Sequence, residues 1–471
     1  MKIVDLEIKG ITADSKQVKK GFLFVAIKGN CQNGHDYIQE AIAKGASVVV
    51  VEKEFPQAKA PAKAVFLVAS DCRKFLAQAT HSFYGCPSNK IKVIGITGTN
   101  GKTTVSYLIE ALAKESGQGC GVIGTINYRF KGKIIPAKNT TPGAAQLQLL
   151  LRNMYLQKVK YCAMEVSSHA LDQERVSGIN FSYAIFTNLT QDHLDYHQNL
   201  EKYFLAKAKL FRALPIQAKA IINNDDSFSR RLLGLTKARV ITYGIVKPSM
   251  IMARQINYRL HSTEFLLVAP HFKVRLKTKL IGRYNIYNIL AAVAWAISEK
   301  LPTLVIKSAL EKFKHVPGRL QRVNCAQKLN VLVDYAHTPD ALLNVLSALR
   351  PLVKGRIIVI FGCGGQRDKL KRPLMGKVVT ELADYAIITS DNPRSENPNQ
   401  IIKDIVRGIK KDNYCLVTAR DAAIRKGLSL INSSDCLLIA GKGHEDYQII
   451  KDKVLRFNDR KVVRACLASM K

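Results

Sequence analysis

At 471 residues and 52.3 kDa the chain is longer than one hydrophobic core ordinarily organises, so several domains are expected. Apolar residues at 47% and charged residues at 23% exclude a disordered chain, and the longest apolar run, 289–297, is far short of the roughly 18 residues of a membrane span. The net charge of +36 raises binding to nucleic acid or another polyanion, but the excess is spread as +4, +20 and +12 over residues 1–89, 90–316 and 317–471 without forming a block; a lysine-rich solvated surface and no specific nucleic-acid partner are expected.

Asp5 and Glu7 interrupt the apolar stretch a signal peptide would need, so a cytoplasmic protein is expected. Residues 18–26 read as a turn and a buried strand, 37–45 as a helix closed by Gly45, and 46–51 as a β-branched strand. Pro56, Pro61 and Pro87 punctuate the rest of the first segment, and 86–89 reads as a linker. From Lys92 the pattern resets: strand 93–96, a glycine-rich turn, a helix through Lys114, then strands at 161–166, 183–187 and 220–223. Such alternation predicts a parallel sheet covered by helices on both faces. Residues 272–280 alternate basic and mostly apolar side chains, as in a strand whose charged face guards a sheet edge. After 315–318 comes a third reset, with strands at 331–334, 356–361, 385–389 and 436–440 between helical stretches. The expected fold is α/β in three domains: a small N-terminal α/β domain (1–89), a central P-loop, doubly wound, ATPase-like domain (90–316) and a C-terminal Rossmann-like, doubly wound domain (317–471). Ten scattered cysteines with no C-x-x-C pair indicate reduced thiols, with neither a disulfide framework nor a zinc site.

The sharpest local signal is Thr97-Gly98-Thr99-Asn100-Gly101-Lys102-Thr103-Thr104 between a strand and a helix, where a phosphate-binding loop must lie. Glycines let backbone N–H groups close on phosphates, the helix N-terminus favours negative charge, Lys102 adds a cation, and Thr103 can ligate Mg2+. The strict pattern would have glycine at position 96, where this chain has Ile. Glu165 and His193 follow the next strands, at the carboxyl rim where parallel sheets bind ligands, and are candidate hard-metal ligands beside the phosphates. His197 lies one helical turn beyond His193, a spacing that by itself marks surface or capping residues.

With the loop, the segments Glu165-Val166-Ser167-Ser168-His169-Ala170-Leu171, 188–195, 203–211, Asp334-Tyr335-Ala336-His337-Thr338-Pro339-Asp340-Ala341, Asp391-Asn392-Pro393-Arg394 and Gly441-Lys442-Gly443-His444-Glu445 resemble the Mur ligase family, MurE type, in family order over nearly the whole chain. The resemblance implies ATP-dependent addition of meso-2,6-diaminopimelate to UDP-N-acetylmuramoyl-L-alanyl-D-glutamate (UDP-MurNAc-L-Ala-D-Glu) through an acyl phosphate. That reaction serves peptidoglycan synthesis, and with it cell shape and division. It assigns residues 1–89 to the UDP substrate, 90–316 to ATP and 317–471 to the amino acid, in a protein expected to be a monomer. By the same match Lys207 would carry a CO2-derived carbamate and join Thr103, Glu165 and His193 around Mg2+. ATP would be held by Gly98, Thr99, Asn100, Gly101, Lys102, Thr103 and Thr104, with Asn285 or Asn288, Arg319, Asp334 and His337. Ala13, Ser15, Asn30, Cys31 and Gln32 would take the uridine end, and Asn139, Thr140, Thr141, Ser167, Gln173 and Arg175 the muramoyl-peptide.

Arg367, Asp391, Asn392, Pro393, Arg394, Gly441 and Glu445 would form the diaminopimelate pocket, with Arg394 pairing the distal carboxylate that lysine lacks. Two departures from the family pattern stand out: Lys16 where an arginine is usual, and Gln366 where an aspartate is usual. The competing readings are the same reaction with L-lysine and a non-catalytic, nucleic-acid-associated relative.

Overall fold

The computed structural model describes residues 2–3, 6–29, 32–52, 64–324 and 329–469. Pro56, Pro61, Cys31 and Cys325 lie outside the described residues, and the eight cysteines within them are free thiols.

The first unit is a four-stranded parallel sheet whose strands run in chain order: β1 (Gly10–Thr12), β2 (Phe22–Val25), β3 (Ala46–Glu52) and β4 (Val65–Ala69). Period-two alternation sorts its side chains. Leu23, Val25, Val48 and Val50 join the cluster under helix α2 (Cys72–Phe83), while Phe24 and Val49 join the cluster of α1 (Ile38–Ala43).

The second unit is an eleven-stranded sheet. Its parallel heart contains β5 (Lys92–Thr97), β6 (Cys120–Ile123), β9 (Tyr161–Glu165), β10 (Phe181–Phe186), β11 (Lys219–Asn223) and β12 (Arg239–Gly244), in the spatial order β6-β9-β5-β10-β11-β12. The chain turns in opposite directions on the two sides of β5, so a crevice opens at that strand's carboxyl end. Hairpins extend both edges of this parallel heart. Strands β7 (Asn127–Phe130) and β8 (Lys133–Pro136) add antiparallel pairs beside β6. On the far side β13 (Ile251–Arg259), β14 (Ser262–Ala269) and β15 (Phe272–Thr278) follow β12. Strand β15 is the outermost, as its alternation predicts: Lys273, Arg275 and Lys277 are exposed while Leu276 and Thr278 are buried. Lys277 Nζ reaches Glu264 on β14 at 2.9 Å.

Helices α3 (Lys102–Glu115), α8 (Arg283–Ser298) and α9 (Thr303–Lys312) cover one face; α4 (Ala144–Leu156) and α7 (Leu200–Arg212) cover the other, with the short helices α5 (Ser168–Asp172) and α6 (Leu194–His197) between them in the chain. The run 289–297 explains itself here: Ile289 through Ala296 have 0% exposure, because α8 is enclosed between the sheet, α3 and α9. At its end Glu299 accepts hydrogen bonds from Tyr161 Oη (2.7 Å), Tyr183 Oη and Lys92 Nζ (2.8 Å), tying the amino ends of β5, β9 and β10 to that helix.

The third unit is a six-stranded sheet in the order β16-β17-β21-β18-β19-β20, formed by β16 (Gln321–Arg322), β17 (Asn330–Asp334), β18 (Ile357–Phe361), β19 (Tyr385–Ile388), β20 (Tyr414–Leu416) and β21 (Cys436–Ala440). All neighbours but β16 and β17 pair in parallel. Helices α10 (Pro339–Leu349), α11 (Lys371–Leu382) and α12 (Pro398–Val406) lie on one face, α13 (Arg420–Leu430) and α14 (Asp459–Ser469) on the other. A hairpin of β22 (Tyr447–Ile450) and β23 (Lys453–Arg456) stands beside residues 391–394.

Candidate active site

The glycine-rich loop lies where β5 meets α3, at the reversal in strand order. Gly101 caps the helix at φ +90°, and a Cβ there would sit 2.3 Å from Asn288 Oδ1; only glycine lets α8 approach the loop so closely. Asn288 itself donates to Asn285 Oδ1 (3.1 Å), and Asn285 to Ile281 O (2.8 Å), so each of the two asparagines that are alternatives for the ATP contact is buried and braced. Lys102 Nζ folds back on the carbonyls of Gly98 (2.8 Å) and Thr99 (2.7 Å). Desolvation lowers its pKa, and the charge of Glu165 opposes that shift.

Glu165, 1% exposed, collects three donors: Thr103 Oγ1 at 3.0 Å, and the Thr125 N–H and Oγ1, each at 2.9 Å. Around it gather the residues expected at the muramoyl-peptide. Thr140 Oγ1 is 3.0 Å from Thr125 Oγ1, Thr141 Oγ1 donates to Glu165 O (2.8 Å) and accepts from Ser167 N (3.0 Å), and Tyr128 Oη donates to Asn139 O (2.6 Å). Arg175 donates to Thr141 O (2.9 Å) and, from Nε, to Gln173 Oε1 (3.0 Å).

Lys207 comes from α7 into the same place. It is 1% exposed, donates to Gly98 O (2.9 Å) and lies 4.2 Å from the centre of the Tyr203 ring. Burial drives its pKa well below that of an ordinary lysine, and the charge of Lys102 pushes the same way. His193 turns in a left-handed conformation (φ +54°) and packs edge-on against His169, with ring centres 4.8 Å apart. His197 is buried and hydrogen-bonded to Ser168 Oγ at 2.9 Å, so it is neither the surface nor the capping residue that its spacing suggests. Among the described residues no three His, Cys, Asp or Glu side chains converge on a metal-sized point. The hydroxyl of Thr103 and the carboxylate of Glu165, 3.0 Å apart, are nevertheless hard oxygen donors of the kind that suits a magnesium ion.

From the third unit, Arg319 lies 4.6 Å over the Tyr335 ring, buried Asp334 accepts from the N–H groups of Leu320 (2.6 Å) and Ala336 (2.7 Å), and His337 Nδ1 is 2.7 Å from Tyr335 O. Sequence reasoning passed over Asp340, which joins the units. It accepts from Asn100 Nδ2 of the loop (2.8 Å) and from Thr190 Oγ1 (3.0 Å). It also missed Thr125, although its place just beyond β6, on the carboxyl rim, is a usable signal.

A second cluster surrounds residues 391–394. Lys442, with 0% exposure, donates to Asn392 Oδ1 (3.0 Å) and Glu445 Oε2 (3.2 Å), while Asn392 Nδ2 donates to Glu445 Oε2 (2.8 Å). Arg394 holds a left-handed backbone (φ +53°), its N–H on Ile449 O (3.1 Å) and its Nη1 on Gly365 O (2.7 Å). Arg367 is exposed next to Gln366, whose own φ is +52° and whose N–H donates to Glu396. In the first unit, buried Ser15 donates to Glu40 Oε2 (2.9 Å) beside half-buried Ala13, Lys16 is exposed, and Gln32 O receives the Gly29 N–H (2.9 Å). Asn30 and Cys31 lie outside the described residues.

Comparison with known proteins agrees with this arrangement of sheets and loops. Residues 7–84 match "Mur ligase family, catalytic domain", 96–296 "Mur ligase middle domain" and 318–443 "Mur ligase, glutamate ligase domain". The chain belongs to the Mur ligase family. Within it, the chain is 45% identical over 459 residues, 97% of this chain and 94% of the relative, to the UDP-N-acetylmuramoyl-L-alanyl-D-glutamate–2,6-diaminopimelate ligase of Clostridium botulinum. It is 42% identical over 469 residues to the ligase of the same name from Clostridium tetani, covering 99% of this chain and 96% of that one. A solved structure of a ligase of that name superposes with a TM-score of 0.71 at 32% identity, covering 98% of this chain and 95% of the other.

Proposed function

We propose that the chain is an ATP-dependent acid–amino-acid ligase that joins meso-2,6-diaminopimelate to the D-glutamyl carboxylate of UDP-MurNAc-L-Ala-D-Glu, a cytoplasmic step of peptidoglycan precursor synthesis. The first unit takes the uridine end, the second holds ATP and the muramoyl-peptide, and the third brings the amino acid, with boundaries near residues 89 and 316. What carries the reading is the meeting, in one crevice, of the loop lysine, the Thr103–Glu165 contact and the buried Lys207. The identity with the clostridial ligases supports it.

In this reaction the γ-phosphoryl group passes from ATP to the glutamyl carboxylate, leaving ADP and an acyl phosphate. The amine of diaminopimelate then adds to that carbonyl, an amide forms, and phosphate departs with the electrons of the broken C–O bond while the ammonium proton goes to solvent. Both steps crowd anions together. Lys102 offsets the charge on the phosphates, and the hydroxyls of Thr140 and Thr141 with Arg175 orient the peptide carboxylate. Thr103, Glu165, His193 and a carbamate on Lys207 would hold Mg2+, which would supply electrostatic stabilisation of the phosphoryl oxygens. Lys207 suits the modification because its amine, buried beside Lys102, favours the neutral form that can add CO2. In the third unit Arg394 pairs the distal carboxylate, while Asp391 and Glu445 receive ammonium groups.

The test is phosphate release by the purified chain with ATP, Mg2+, UDP-MurNAc-L-Ala-D-Glu and diaminopimelate. Release that requires all of them, with the tripeptide product found by mass spectrometry, supports the proposal. Absence of product under those conditions refutes it.

A further inference from the structure

Asp391 is 8% exposed, yet among the described residues no donor hydrogen-bonds its carboxylate. Two buried cations flank it instead: Arg420 Nη1 lies 4.0 Å from Oδ2 and Lys442 Nζ 4.0 Å from Oδ1. The backbone closes a third side, since a Cβ on Gly441 would stand 2.5 Å from Oδ2.

Arg420, the first residue of α13 and 2% exposed, is itself fixed by strong contacts. Its Nε and Nη2 fork the carboxylate of Asp459 on α14 at 2.8 Å each, and Nη2 also donates to Ala440 O at 3.0 Å. Nη1 alone is left over. It is buried, has no hydrogen-bond partner and is the guanidinium nitrogen nearest Asp391. Leaving such a group unsatisfied is costly, and a planar fork cannot turn aside without breaking its bonds to Asp459. A carboxylate fixed in place with no direct donor of its own keeps its lone pairs for an ammonium group, and Asp459 and Glu445, paired with the two cations, offset their repulsion of that ligand.

We propose that Arg420, anchored on Asp459, is a positioning residue that holds Asp391 as the acceptor for an ammonium group of the incoming amino acid. The proposal rests on the function proposed above and extends it to a residue that does not touch the substrate. Because lysine and diaminopimelate both carry two amines, Arg420 would act on both alike. It would differ in this from Arg394, which faces the carboxylate that only one of them has.

The test compares wild type with Arg420→Lys and with the double variant Arg420→Met/Asp459→Leu, which removes the buried pair together so that neither charge is stranded. Tm, and KM and kcat for diaminopimelate, L-lysine, ATP and UDP-MurNAc-L-Ala-D-Glu, are measured for each. Expected are a tenfold or greater rise in KM for diaminopimelate in both variants, KM for ATP and UDP-MurNAc-L-Ala-D-Glu within twofold of wild type, and an unchanged ratio of kcat/KM between diaminopimelate and lysine. Unchanged KM for diaminopimelate in a folded variant overturns the proposal. So does an equal rise in every KM, which would mark a general loosening, or loss of folding in Arg420→Lys, which would make the pair a structural tie. A wild type without diaminopimelate-dependent turnover overturns the proposed function, and this inference falls with it.

Discussion

Replacing Arg394 by alanine separates the two amino acids that the reaction has to distinguish. The guanidinium spends Nη1 on Gly365 O at 2.7 Å, leaving Nη2 and Nε for a carboxylate. Its backbone is pinned on both sides, by Arg394 N–H to Ile449 O at 3.1 Å and by Lys451 N–H to Arg394 O at 2.7 Å, so the fork approaches from one direction. A hydrogen bond to a charged group is worth about 1.5–3 kcal/mol, roughly ten- to a hundredfold in an equilibrium constant. Arg394→Ala should therefore lower kcat/KM for diaminopimelate by about that factor relative to L-lysine. Two other effects leave the ratio unchanged. Losing the strut on Gly365 weakens the pocket for both substrates, and the left-handed strain at φ +53°, about 1–2 kcal/mol, is carried by arginine and alanine alike. Arg394→Gly, free of that strain, should shift the ratio by the same amount. The assay is competition between the two amino acids at fixed ATP and nucleotide substrate, with products quantified by mass spectrometry. A ratio that stays put in both variants refutes the assignment of Arg394 to the distal carboxylate.

Lys207→Ala should abolish ligation, and formate or acetate should restore part of it by standing in for the carbamate; near-wild-type turnover of the variant in bicarbonate-free buffer would remove Lys207 from the reaction. Asp340→Ala should raise KM for ATP several-fold with little change in Tm, because the bonds it removes join the phosphate loop to the third unit; a steady-state titration with ATP checks this. Glu299→Ala should cost about 2–4 kcal/mol in urea denaturation, since it strands two tyrosine hydroxyls, while the exposed Lys92 ammonium is free to turn to water. Burial raises the Glu299 pKa, but the bonds from Lys92, Tyr183 and Tyr161 outweigh it and the net shift is downward. Its contribution is thus complete above the unfolded-state pKa of about 4.3 and is lost as the pH falls through the lower folded-state value, so Glu299→Gln should flatten the acid limb of stability against pH.

What was legible in the sequence was whatever local spacing encodes. The strand before Gly98 and the helix after it and the basic edge of β15 follow from periods of two and 3.6 residues and from glycine placement, whereas the continuous apolar run 289–297 has no period from which its helix could be read. Other features have no local signature. Asp340 is separated from Asn100 by 240 positions, and Arg420 from Asp459 by 39, so nothing near any of these residues announces its partner. The hairpins that widen the central sheet escaped for another reason. Strand β8 is four residues long and mostly exposed, and β13 loses its alternation at the irregularity between Arg254 and Asn257. Lys442 reads as one more lysine in a lysine-rich chain until Asn392 and Glu445 are seen to close over it.

The enclosed position of α8 bears on how the chain comes off the ribosome. Synthesis runs from the amino terminus, so β5, α3, β9 and β10 emerge long before the helix at 283–298 that covers their shared face. Until Trp295 and its neighbours are outside the exit tunnel, Ile94, Ile96, Leu108 and Ile185 have no lid. The middle unit therefore cannot complete its core cotranslationally in small steps, and a nascent chain halted before residue 283 presents a sticky apolar surface to chaperones. Ribosome-stalled chains ending on either side of α8 would differ sharply in protease resistance, with the gain arriving at once when that helix clears the tunnel.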